Sequence, residues 1–135
     1  MSLSNREIKF RAWNEYEQCF LDNEEFAINF LGTVFKANLD AEVYNNLMNQ
    51  DGFKIMQYTG LKDKNGVEIY EGDIVKFIPS NEYGKVTTFG KSQNLGIEWE
   101  NSKTAFFTPM FYLGCESELE IIGNIYENPE LLQGN

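Results

Sequence analysis

The chain has no histidine, two cysteines, three prolines, and only 11 basic side chains against 21 acidic ones. Each shortage closes off a chemistry. Histidine is the side chain that most often moves protons near neutral pH, so Ser–His and Cys–His nucleophile pairs are excluded. A zinc site of mixed Cys/His type is excluded with them, and two cysteines cannot complete a structural site alone. Cys19 and Cys115 follow no metal-ligand spacing; a reduced, partly buried pair is the expected state, with a single disulfide as the alternative. No stretch approaches the roughly 18 uninterrupted apolar residues of a membrane helix. No basic-then-apolar leader opens the chain, so export is not expected and the cytoplasm is the expected location. The glycine patterns of phosphate and dinucleotide cradles are missing, and so is the G-x-S-x-G nucleophile turn.

The formal net charge is −10, and it is unevenly spread. Residues 1–20 hold three basic and three acidic groups, and residues 56–91 hold five of each. Residues 21–55 carry six acidic against two basic groups, and residues 92–135 carry seven against one. The acidity therefore lies outside the central block.

What is present is apolar and aromatic. Apolar residues make up 42% and aromatics 15% of 135 residues, enough for the core of one domain. The run YTGLKDKNGVEIYEGDIVKFI, residues 58–78, is the densest in signals. Asn65-Gly66 predicts a type I′ hairpin turn with positive φ at both residues, between strands over 57–61 and 67–70. Glu71-Gly72-Asp73 predicts a corner, with Asp73 tied to its own backbone, leading into a strand over 73–78. Alternation of Ile8, Phe10 and Ala12 with Lys9, Arg11 and Trp13 predicts a first strand with one wetter face. Phe26, Ile28 and Phe30 predict another, turned at Leu31-Gly32 into a strand over 33–37. Leu39, Val43, Leu47 and Met48 fall at helical spacing behind Asn38 or Asp40 as cap, a helix of about three turns. Further strands are expected over 53–58, 85–89, 95–99, 104–108 and 119–126, and a short helix opens at Pro129. The expected class is α+β, mainly β.

Three segments carry a resemblance. REIKFRAWN (6–14), MQYTGLKDKNGVEIYEGDIVKF (56–77) and IIGNIYENPELL (121–132) resemble, in order, three blocks of the YopX family, small proteins found mostly in phages and in prophages of Gram-positive bacteria. Residues 17–51 and 79–118 resemble the family least. The resemblance implies a single domain over 1–135, with a less regular α+β part over 6–55 and a barrel-forming part over 56–132. It further implies an SH3-like β-barrel with one appended helix/hairpin subdomain, in a phage-encoded protein of the host cytoplasm. A homo-oligomer, ring-shaped in one form, goes with it. No enzymatic activity and no cofactor are implied, because the family has no established biochemical function to carry over.

Three functional readings remain. Glu98 with Glu100, and Glu116, Glu118 and Glu120, sit two apart on expected strands and could gather a cation; a solvated strand face explains them as well. Small barrels also bind single-stranded nucleic acid by stacking, and Trp13, Tyr58, Tyr70, Trp99, Phe106 and Phe107 could serve as platforms beside Arg6, Lys9, Arg11, Lys62, Lys64, Lys85 and Lys91. The acidic balance opposes this reading, so nucleic acid is not the expected partner. Third, Phe106, Phe107, Met110, Phe111, Tyr112 and Leu113 place six large apolar side chains within eight residues. An extended segment of that kind points apolar groups to both faces, and one small core covers one of them. The helix over 39–48 could cover the second; the family resemblance favours a neighbouring subunit. The expectation is a non-enzymatic, homo-oligomeric binding or assembly module, with a phage or host protein as further partner. The alternative is a nucleic-acid-binding barrel serving phage replication or transcription.

Overall fold

The computed structural model describes residues 8–21, 26–28, 34–36, 53–91, 94–103, 106–109 and 118–132. The expected helix over 39–48 lies outside them, as do Met110, Phe111, Tyr112, Leu113 and Cys115. The fold is mainly β and antiparallel. In chain order the strands are β1 (Phe10–Asn14), β2 (Cys19–Phe20), β3 (Phe26–Ile28), β4 (Val34–Lys36), β5 (Phe53–Lys62) and β6 (Glu68–Tyr70). They continue as β7 (Asp73–Phe77), β8 (Glu82–Phe89), β9 (Asn94–Trp99), β10 (Phe107–Pro109) and β11 (Leu119–Asn124). The terminal helix expected at Pro129 is a 3-10 turn, Pro129–Leu132. Among the described residues, no helix is long and apolar enough to cross a membrane.

The chain divides into two compact units, residues 10–56 and residues 1–9 with 57–135. In the first, β1 and β2 form a hairpin with Trp13 opposite Phe20 and Asn14 opposite Cys19. The Asn14 Oδ1 accepts N–H groups of Tyr16 at 2.9 Å and Glu17 at 3.2 Å, an Asx turn that starts the loop. Strands β3 and β4 pair from Phe26 opposite Lys36 to Ile28 opposite Val34. The expected wet and dry faces of the first strand need correction. Ala12, Trp13 and Asn14 are all buried in succession, whereas Ile8 is 70% exposed. The strand begins only at Phe10, so Ile8 stands ahead of it, and both faces of the strand are covered at its end. Trp13 packs edge-on against Phe20 at 4.9 Å. Cys19 is a free, exposed thiol rather than a partly buried one.

In the second unit a five-stranded antiparallel sheet runs in the order β10–β9–β8–β7–β11, a half-barrel. Its concave side holds the core: Ile69, Val75, Val86, Ile97, Trp99 and Leu119, joined by partly buried Leu61, Phe77, Leu95 and Ile121. The period-two pattern accounts for this, since Val86 lies opposite Ile97 on the inward face of β8 and β9. The Trp99 indole N–H, which a buried ring must satisfy, donates to Thr108 Oγ1 at 2.8 Å.

The β5–β6 hairpin is built differently from the expected type I′ turn. Of Asn65 and Gly66, only Gly66 has positive φ, at 81°. The Gly66 N–H donates to the Asp63 carbonyl at 3.0 Å, the bond of a type I turn followed by a left-handed glycine. The buried Asp63 carboxylate dictates the choice. Its Oδ1 accepts the N–H groups of Asn65 at 2.9 Å and Val67 at 3.0 Å, while Oδ2 accepts that of Ile121 in β11 at 3.1 Å. With the Lys64 N–H donating to the Leu119 carbonyl at 2.8 Å, the loop is fastened to β11. Upstream, the register between β5 and β6 shifts between Tyr58 and Lys62, a bulge around Gly60. Thr59 repairs it: its hydroxyl donates to the Ile69 carbonyl at 2.7 Å and accepts the Leu61 N–H at 3.1 Å. The corner at Gly72 follows expectation, with φ of 87° and the Asp73 carboxylate accepting the Tyr70 N–H at 2.8 Å.

Candidate functional site

The convex face of the half-barrel carries the residues that alternate with the core. Register puts Lys85, Thr87 and Phe89 of β8, Asn94, Gly96 and Glu98 of β9, and Phe107 and Pro109 of β10 on this one face. Among the described residues, strand β10 is the edge of the sheet. Gly96 lies between the two aromatic strands. A Cβ at residue 96 would overlap the Phe107 ring and the Thr108 carbonyl. The missing side chain lets Phe107 lie across β9, where it stacks on Phe89 with centroids 5.1 Å apart and planes at 27°. Phe106 meets Phe89 edge-on at 5.5 Å. The result is a three-ring cluster in contact with water: Phe106 is 59% exposed, Phe89 48%, and Phe107 half-buried.

Among the six candidate contact residues, Phe106 and Phe107 are thus brought together, and the other four lie outside the described residues. The expectation that these two point to opposite faces needs correction. Phe106 sits in a bend just before β10, where strand alternation does not apply, and both rings reach the same Phe89. Phe89 itself is missed by sequence reasoning. The signal for it was available: a glycine inside a strand, with aromatics at the ends of its two neighbours, is a place where rings can cover the gap.

Electrostatics leave the cluster neutral. Beside it on the same face, the Lys85 ammonium lies 4.0 Å from the Glu98 carboxylate. Glu120 lies 3.7 Å from both Lys64 and Lys76. Glu98 and Glu120, offered as cation ligands, thus face lysines. No three His, Cys, Asp or Glu side chains among the described residues converge as a metal site would require.

Half of the six stacking platforms proposed for nucleic acid are inside the protein. Trp13, Tyr58 and Trp99 are buried, and Tyr70 is half-buried with its ring 5.5 Å from that of Tyr58. Of the basic residues, Lys9 pairs with Glu68, and Arg11 lies over the Phe20 ring at 4.8 Å. Lys64 and Lys85 pair as described.

The family model for the YopX protein matches residues 9–133. No curated protein matches the chain. Among solved structures, protein EF1440 from Enterococcus faecalis is similar over 94% of this chain and 99% of its own, at 28% identity and a TM-score of 0.61. Protein yopX from Bacillus subtilis is similar over 92% of this chain and 97% of its own, at 19% identity and a TM-score of 0.53, a likeness of fold alone.

Proposed function

The chain belongs to the YopX family, and on that premise we propose that it is a non-enzymatic assembly module whose copies associate through the aromatic face at β10. The observation that carries the reading is the water-exposed cluster of Phe89, Phe106 and Phe107 at a sheet edge. Taking a fully exposed phenyl ring out of water contributes roughly 1.5–3 kcal/mol; about half of Phe106 and of Phe89 and less of Phe107 remains to be covered, so the three rings of each copy offset part of the cost of association. A second copy is the occupant because the face is locally uncharged. With Lys85 opposite Glu98, two such faces meet without confronting like charges, despite the net charge of −10. Met110, Phe111, Tyr112 and Leu113, which follow β10, extend the contact in this proposal.

The β unit is an SH3-like barrel, and the assembly is a closed ring. The protein is a phage-derived accessory protein of the bacterial cytoplasm that presents the assembled surface to a phage or host protein. Sedimentation velocity of Phe106→Glu and Phe89→Glu tests the contact. Both side chains are about half in water within one chain, so the variants should keep the wild-type circular dichroism spectrum and sediment as smaller species. Unchanged sedimentation of both would overturn the proposal. A second reading uses the same exposed rings as stacking platforms for single-stranded nucleic acid. Fluorescence anisotropy at low salt decides it: saturable binding tighter than about micromolar, weakening with salt, would favour that reading.

A further inference from the structure

We propose that Asn65 is a site of spontaneous covalent modification, deamidation through the Gly66 nitrogen, and that the Asp63 latch controls its rate. Asn65-Gly66 is the one Asn-Gly pair in the chain. Both residues are exposed, and nothing lies within 4 Å of the position a Gly66 side chain would take. Glycine therefore leaves the approach of its nitrogen to the Asn65 side chain open.

The chemistry needs only water. The Gly66 nitrogen attacks Asn65 Cγ; the N–Cγ bond forms, the Cγ–Nδ2 bond breaks, and Nδ2 departs as ammonia with the amide proton. Water then opens the five-membered imide at either carbonyl, giving aspartate or an isoaspartyl link with one more methylene in the backbone.

The folded turn opposes the first step. The Gly66 N–H is held on the Asp63 carbonyl at 3.0 Å, and the Asn65 N–H on Asp63 Oδ1 at 2.9 Å. In a type I turn the residue in the Asn65 position has ψ near roughly 0°. Ring closure requires rotation away from that value and release of the Gly66 N–H. The loop resists such rotation because Asp63 Oδ2 and the Lys64 N–H also hold it on β11. Conversion, once it occurs, works against the latch. A new carboxylate at residue 65 stands beside that of Asp63, and an isoaspartyl link shifts the Val67 N–H away from Asp63 Oδ1. The site thus records how often the β5–β6 loop has opened, and then keeps it loose.

Peptide mapping by mass spectrometry of the full chain, aged in mildly alkaline buffer, reads the conversion directly. The folded protein should convert Asn65 about tenfold or more slowly than the same protein in urea, because only locally opened molecules react. Asp63→Ala should raise the folded rate toward the urea rate; should that variant not fold, Asp63→Asn, which keeps one carbonyl oxygen, should raise it less. Chromatographically separated converted protein should melt below the unconverted form. Equal rates in folded and unfolded protein, or no acceleration in the folded Asp63 variant, would overturn the proposal. So would an Asn65 that persists in urea.

Discussion

Replacing Asp63 tests the bonding that holds the second unit together. Asp63 is 6% exposed, and its carboxylate accepts three backbone N–H groups, one of them 58 residues away in β11. Hydrogen bonds to a charged group contribute about 1.5–3 kcal/mol each, and an unsatisfied buried donor costs about 1–3 kcal/mol. The three are not equal. Asn65 and Val67 are exposed, so water can replace the carboxylate there, while Ile121 is partly buried. Discounting the first two, Asp63→Ala should cost about 3 kcal/mol. Asp63→Asn can still accept at the Oδ1 position but sets an amide donor against the Ile121 N–H, so it should cost about half as much. Taking about 3 °C per kcal/mol for a chain of this size, the melting temperature should fall by about 10 °C and about 5 °C. Urea titration should show lower midpoints with unchanged slopes. The Ile121 amide should also exchange faster in both variants. An alanine variant within about 0.5 kcal/mol of wild type, the usual spread for surface substitutions, would refute the latch.

Three further outcomes follow from the geometry. Gly96→Val should displace β10, because its side chain meets the Phe107 ring and the Thr108 carbonyl; a loss of about 2 kcal/mol or more, with a changed Trp99 fluorescence, is expected in chemical denaturation. Thr59→Val should cost about 1–3 kcal/mol by leaving the Ile69 carbonyl and Leu61 N–H unmatched, and Thr59→Ser should recover most of it, as thermal melts of the pair will show. At the hairpin, Gly66→Val should destabilise by about 1 kcal/mol or more because φ is 81°, whereas Asn65→Ala should leave the melt nearly unchanged; equal effects would restore the type I′ turn.

Much of the scaffold is legible in the sequence because local chemistry decides it. The corner at Gly72 needs a residue tolerant of positive φ and a carboxylate next to it, and both stand in the chain. The existence of the hairpin at Asn65-Gly66 is legible for the same reason. Its type is not, because the Asp63 carboxylate that selects it is itself anchored to Ile121, a partner remote in sequence. The burial of Trp13 escapes period-two reasoning, since alternation assumes one covered face and the end of β1 has two. Phe106 and Phe107 can be picked out as apolar residues in excess of one core. That they share a side, and that Phe89 completes the cluster, depends on the bend before β10 and on which strands flank Gly96. Pairing order of this kind is set by tertiary contacts, which a single sequence does not display.

Light scattering coupled to size exclusion, applied to the unmodified protein across a wide concentration range, tests the central claim most directly. Association through the aromatic face predicts a mass that is a whole multiple of the 15.6 kDa chain, reverting to one chain in Phe106→Glu. A mass of one chain at every concentration would contradict it.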